Sequence, residues 1–215
     1  MRLWPVLLAA CGGHEATAPV VLVPVAPTAL CVTKGELAGA TVDAPTFRAI
    51  SRESTGDGAA LAFTTHGETS TTRELASGQL RRQLGLKLRA ADGCNLVYVM
   101  WRLDPKPMIE VSVKWNPGKH DSKECGANGY IKVKPTRSVR DLRAGEPHEL
   151  RAEIAGDALT ASIDGTVVWH GDLPDEARAL TGPAGIRSDN LAFEIRSFAA
   201  PRAASIAPCA DKASD

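Results

Sequence analysis

Three stretches of this sequence alternate between apolar and polar residues, and their polar sides hold most of its candidate binding chemistry. Leu84, Leu86 and Leu88 alternate with Gln83, Gly85, Lys87 and Arg89. In the nearly all-apolar run 96–103, Val97, Val99, Trp101 and Leu103 share one side, and Tyr98, Met100 and Arg102 the other. Ile109, Val111, Val113 and Trp115 alternate with Glu110, Ser112 and Lys114. A period of two belongs to a strand with one face in a core. If the apolar sides share one core, then Gln83, Lys87, Tyr98, Arg102, Glu110, Ser112 and Lys114 line one polar sheet face. A ring, an amide, a hydroxyl and charges converging on one surface suit hydrogen bonding and stacking to a polar ligand such as a glycan. The plainer reading is a sheet face left to water, which antiparallel sheets allow. Trp101 and Trp115 fall on the apolar side and are expected in the core. Trp169 and Tyr130 are further aromatic candidates.

The elements that must position these residues are strands. Leu150, Ala152 and Ile154, then Leu159, Ala161 and Ile163, then Leu191, Phe193 and Ile195 repeat the alternation. Gly156-Asp157 and Asp164-Gly165 join such runs and supply residues that tolerate positive φ, a strong hairpin signal. Asp57-Gly58 and Asp92-Gly93 are further turns, and residues 174–180 could form one short helical turn behind Pro174. Many short strands with regular turns predict an all-β, antiparallel two-sheet sandwich. The chain has 215 residues, 44% hydrophobic and 23% charged, with a formal net charge of zero. That suits one large β domain. Neutrality argues against nucleic acid, whose binding needs a basic excess.

Nucleophile and metal motifs are missing. No GxSxG, HExxH or P-loop occurs. His14, His66, His120, His148 and His170 are scattered and expected at the surface. Asp189-Asn190 offers calcium two side-chain ligands, far short of the ~6–8 oxygens it takes, and reads as a turn. No cofactor is expected.

At the N-terminus, Arg2 precedes a short apolar run and Leu8-Ala9-Ala10-Cys11. This order resembles the lipobox of bacterial lipoproteins. The resemblance implies a signal peptide over residues 1–10, lipid on Cys11, and a cell-envelope location. Gly12 after the Cys would favour the outer membrane. Residues 11–30 carry Pro19, Pro24 and Pro27 and read as an extended tether, with an edge strand as the alternative. The domain is expected over 31–209, with a tail over 210–215. Export would place Cys31, Cys94, Cys125 and Cys209 in an oxidising compartment, where disulfides persist. Three pairings are open. Cys94–Cys125 and Cys31–Cys209 are favoured, because the second would clasp the domain ends, which often lie close together.

Over residues 145–198 the order Gly145-Glu146-Pro147-His148-Glu149-Leu150, Ile163-Asp164-Gly165 and Gly182-Pro183-Ala184-Gly185-Ile186-Arg187-Ser188-Asp189-Asn190 resembles the C-terminal half of a concanavalin A-like, or laminin G-like, jelly roll. That superfamily holds lectins, glycosidases and interaction modules, so the resemblance speaks for fold before function. Its laminarinase-like branch uses two Glu flanking an Asp on one strand. The corresponding strand here, around residues 108–115, offers only Glu110. Some laminin G-like modules bind calcium. The leading expectation is an exported, lipid-anchored, non-catalytic module binding glycan or an envelope protein. The alternatives are a divergent glycoside hydrolase and a structural or protein-interaction module.

Overall fold

A computed structural model describes residues 20–206 and Cys209. The back sheet contains β1 (Val23–Val25), β3 (Thr41–Val42), β5 (Gly58–Glu68), β10 (Pro147–Ala155), β11 (Ala158–Ile163), β12 (Thr166–Asp172) and β14 (Leu191–Ala200). The front sheet contains β2 (Leu30–Lys34), β4 (Thr46–Ser51), β6 (Gln83–Leu88), β7 (Leu96–Arg102), β8 (Met108–Lys114), β9 (Tyr130–Ser138) and β13 (Gly185–Asp189). Across the back sheet the order is β1-β14-β5-β10-β11-β12, with β3 also on β14; across the front it is β2-β4-β13-β6-β7-β8-β9. All pairings are antiparallel. One apolar core fills the space between the sheets, with Phe47, Leu86 and Trp101 from the front and Phe63, Leu150 and Phe193 from the back.

Local chemistry accounts for the hairpins. Ile163 pairs with Thr166, so Asp164 and Gly165 alone make the β11–β12 turn. Their φ values, 48° and 77°, fit the primed turn that strand twist favours. The expected helical turn is a short 3-10 helix, Asp175–Ala179.

The two outer faces differ. On β10 and β11 buried residues alternate with half-buried or exposed ones, as for a sheet wet on one side. On β6 and β13 every residue is buried. The front sheet is therefore covered on its outer face too. The loop between β5 and β6 and the loop between β8 and β9 both reach over this face.

The structure corrects three sequence expectations. Residues 20–30 are not all tether, because β1 pairs with β14 through Val23–Ala200 and Val25–Phe198. Pro24 is accommodated because β1 is an edge strand with a single partner. His148 is buried against Phe63 and Trp101, with its Nδ1 2.9 Å from Asp164 Oδ2. Its parity with Leu150 and Ala152 on β10 puts it on the core face. Trp169 is also buried and donates from Nε1 to Pro135 O at 2.6 Å, so it is no binding platform. Trp101 is in the core as expected, and Trp115 packs against it half-buried. Both favoured disulfides are formed, with Cα separations of 5.5 Å for Cys31–Cys209 and 5.9 Å for Cys94–Cys125. Cys11 and the signal segment lie outside the described residues.

Candidate functional site

Because β6, β7 and β8 pair in register, their polar positions fall into rows on the outer face of the front sheet. Gln83 opposes Arg102, Lys87 opposes Tyr98, and Tyr98 opposes Ser112. Over this face lies a cleft of about 970 Å³. Gln83, Tyr98, Glu110, Ser112 and Lys114, five of the seven residues expected on the polar face, line it. The other two do not. Lys87 is buried farther along β6, about 13 Å from Gln83 at strand spacing. Arg102 lines a smaller neighbouring recess with Leu80 and Pro105, and its guanidinium is drawn to Glu110 and to Met108 Sδ.

The floor is not a loosely hydrated face. Gln83, Tyr98, Ser112 and Lys114 are each buried, and Gln83, Tyr98 and Lys114 belong to a network centred on Asp189. Asp189 Oδ1 accepts from Arg48 Nη2 at 2.7 Å; its Oδ2 accepts from Gln83 Nε2 at 2.6 Å and from Arg187 Nε at 3.0 Å. Burial alone would raise the Asp189 pKa, but Arg187, Arg48 and the Gln83 hydrogen bond outweigh it and hold the carboxyl well below its usual range. Burial likewise disfavours the Arg187 charge, and Asp189, Tyr98 and Tyr130 more than restore it.

From Arg187 the network runs on through rings. Its guanidinium lies 4.6 Å from the Tyr98 ring centroid, and its Nη1 donates to Tyr130 Oη at 3.2 Å. The Tyr98 and Tyr130 rings stack at 6.1 Å, and Lys114 Nζ lies 5.3 Å from the Tyr130 centroid while donating to Gly93 O. Cation–ring contacts of this kind stabilise most where water is excluded. Burial opposes ionisation of Tyr130, but Arg187 and Lys114 outweigh it and bring its phenol below the ordinary value.

Two loops wall the cleft, and both are fastened. The β5–β6 loop is held by Asn190, whose side chain accepts from Arg73 N and donates to Arg73 O and Arg81 O. The β8–β9 loop carries the one-turn helix α1 (Ser122–Cys125), closed by a capping box between Asp121 and Glu124 and joined to the sheet by Cys94–Cys125. Asp121-x-x-Glu124 is a sequence signal that marks this turn. Arg48 was also legible, since Thr46 and Arg48 alternate with the core residues Phe47 and Ala49. Tyr130, Lys132 and Arg187 reach the cleft only through strand order.

Calcium does not fit Asp189-Asn190. Two guanidinium groups hold the carboxylate, and the Asn190 oxygen accepts from a backbone amide. Among the described residues no three His, Cys, Asp or Glu cluster as a metal site.

No family model and no curated protein matches the chain. Among solved structures, the carbohydrate-binding module CBM66 from Bacillus subtilis superposes with a TM-score of 0.56 at 10% identity, over 79% of this chain and 93% of that one. The fold is an antiparallel two-sheet jelly roll. A second jelly roll, the Emp46p carbohydrate recognition domain in its metal-free form, superposes with a TM-score of 0.50 at 12% identity, over 79% of this chain and 85% of that one. These likenesses establish the jelly roll; the chemistry of its cleft rests on the residues above.

Proposed function

We propose that this chain is an exported, lipid-anchored, non-catalytic module that binds a glycan, or another polar envelope component, in the front-sheet cleft. The cleft itself carries the proposal. Its volume of about 970 Å³ stands near the top of the ~300–1,000 Å³ range of ligand sites. Aromatic, amide, hydroxyl and charged groups line it. Its walls are fastened by Asn190 and by Cys94–Cys125, which lowers the ordering cost of binding. The similarity to a carbohydrate-binding module makes saccharides the first ligand class to test.

The carboxylates favour binding over hydrolysis. Glycoside hydrolysis needs a general acid that holds a proton at working pH, beside a second carboxylate. Asp189 is too acidic and has both oxygens occupied. Glu110 is engaged with Arg81, Arg102 and Lys132. Export and anchoring at Cys11, with an outer-membrane location, belong to the same proposal; two disulfides are consistent with an oxidising compartment.

A glycan array probed with the purified chain, both disulfides formed, tests the binding reading. Selective binding that Tyr130→Ala weakens while the thermal transition is kept supports it; silence across a broad array overturns it. Mass spectrometry of the membrane-extracted protein, beside Cys11→Ser, tests the anchor. An unmodified Cys11 rules the anchor out.

A further inference from the structure

The charge of the cleft does not match the charge of the chain. The sequence balances 25 Lys and Arg against 25 Asp and Glu. Around the cleft, eight lining residues are Lys or Arg and three are Asp or Glu. One of those three, Asp189, is already shared between Arg48 and Arg187 on the floor.

The excess is sharpest at Glu110. This single carboxylate has Arg102 at 3.3 Å, Arg81 at 3.5 Å and Lys132 at 3.9 Å. One negative charge cannot neutralise three positive ones, and the distances show it shared loosely among them. Protonation of Arg102 is disfavoured by burial and also by Arg81, with Glu110 acting against both. Arg81 and Lys132 both line the main cleft, so they flank Glu110 on the side open to a ligand. On the rim, Arg73 and Lys123 are exposed and add two more cations. A concave site lined by one sign of charge concentrates ligands of the other sign.

We infer that the cleft takes an acidic oligosaccharide, one carrying carboxylate or sulfate groups, with an anionic group seated between Arg81 and Lys132 beside Glu110. This deepens the glycan reading and rests on it. A planar guanidinium matches a carboxylate or sulfate with paired donors, and Lys132 adds a mobile point charge. Uncharged sugar surface then lies against Tyr130 and the floor hydroxyl of Ser112. A polynucleotide is the less favoured polyanion, because the chain as a whole is neutral and its cation excess is confined to one short walled cleft.

The test is calorimetric titration of the purified full chain with three probes of equal length: an oligogalacturonate, a heparin-derived sulfated oligosaccharide and a neutral malto-oligosaccharide. A single-stranded oligonucleotide serves as the fourth. Acidic saccharide should bind and the neutral one should not, and raising salt from about 0.05 to about 0.5 M should weaken binding by about tenfold or more. Arg81→Gln with Lys132→Gln should abolish the preference, while Glu110→Gln, which removes a competing negative charge, should tighten acidic binding. The two acidic arms identify which anion is read. Equal or better binding of the neutral oligosaccharide, without salt dependence, overturns this inference and leaves the glycan reading standing. Failure of all three saccharides overturns this inference, and silence across the broad array as well overturns the glycan reading. An oligonucleotide bound as tightly as the acidic sugars overturns the saccharide assignment.

Discussion

Arg187 Nε lies 3.0 Å from Asp189 Oδ2, two residues away on the same strand and the same face, and both side chains are almost wholly buried. A charge pair this deep is costly to break from one side, because the survivor remains buried and unpaired. Asp189→Ala should destabilise the fold by about 3–5 kcal/mol in denaturant unfolding. Its pH dependence has a definite sign. The folded carboxyl is more acidic than an unfolded Asp, ordinarily near 3.9, so its contribution is complete above that value and is lost as pH falls toward the folded pKa. Unfolding midpoints followed below about pH 4 should therefore fall more steeply for the natural chain than for Asp189→Asn. Parallel acid profiles would remove Asp189 from the account.

Tyr130 offers a spectroscopic check on the same network. Its phenol accepts from Arg187 and lies near Lys114, and these cations outweigh the effect of burial. An absorbance titration should show a phenolate forming below the ordinary tyrosine value near 10, and Tyr130→Phe should remove that step. A low step that persists in the variant would remove Tyr130 from this account.

Cys94–Cys125 closes a loop of 31 residues and fastens one wall of the cleft. Replacing both cysteines with Ser should lower stability by about 2–4 kcal/mol. Binding should weaken as well under conditions where the variant is still folded, since the wall then has to be ordered by the ligand. Unchanged affinity in the folded variant would show that this wall makes no use of its pinning.

Gly85 occupies the outer face of β6, opposite Met100 on one side and Arg187 on the other. A Cβ there would stand 2.2 Å from Val99 O and 2.8 Å from Met100 Cα, neither of which a rotamer change can move. Gly85→Ala should cost about 1–3 kcal/mol, read as a lower thermal midpoint. A neutral substitution would mean that β6 and β7 can separate locally without disturbing the sheet.

The alternation of Leu84, Leu86 and Leu88, of Val97, Val99 and Trp101, and of Ile109, Val111 and Val113 determined which residues enter the core, because a strand turns successive side chains to opposite faces. The same parity placed Gln83, Tyr98, Glu110, Ser112 and Lys114 together, and on β10 it sets His148 on the core side with Leu150 and Ala152. The turns at Gly156 and Asp164-Gly165 were equally local, set by backbone freedom at single positions. What only the tertiary structure decided is what lies opposite that polar face. Arg48, Tyr130, Arg187 and Asp189 reach the cleft from strands far apart in the chain, and no local period encodes the order β4-β13-β6-β7-β8-β9. The burial of Lys87 and Gln83 was likewise invisible, because what lies over that face includes loops held by Asn190 and by Cys94–Cys125. The cleft's excess of positive charge follows from that assembly, which gathers on one face charges that the sequence as a whole keeps in balance.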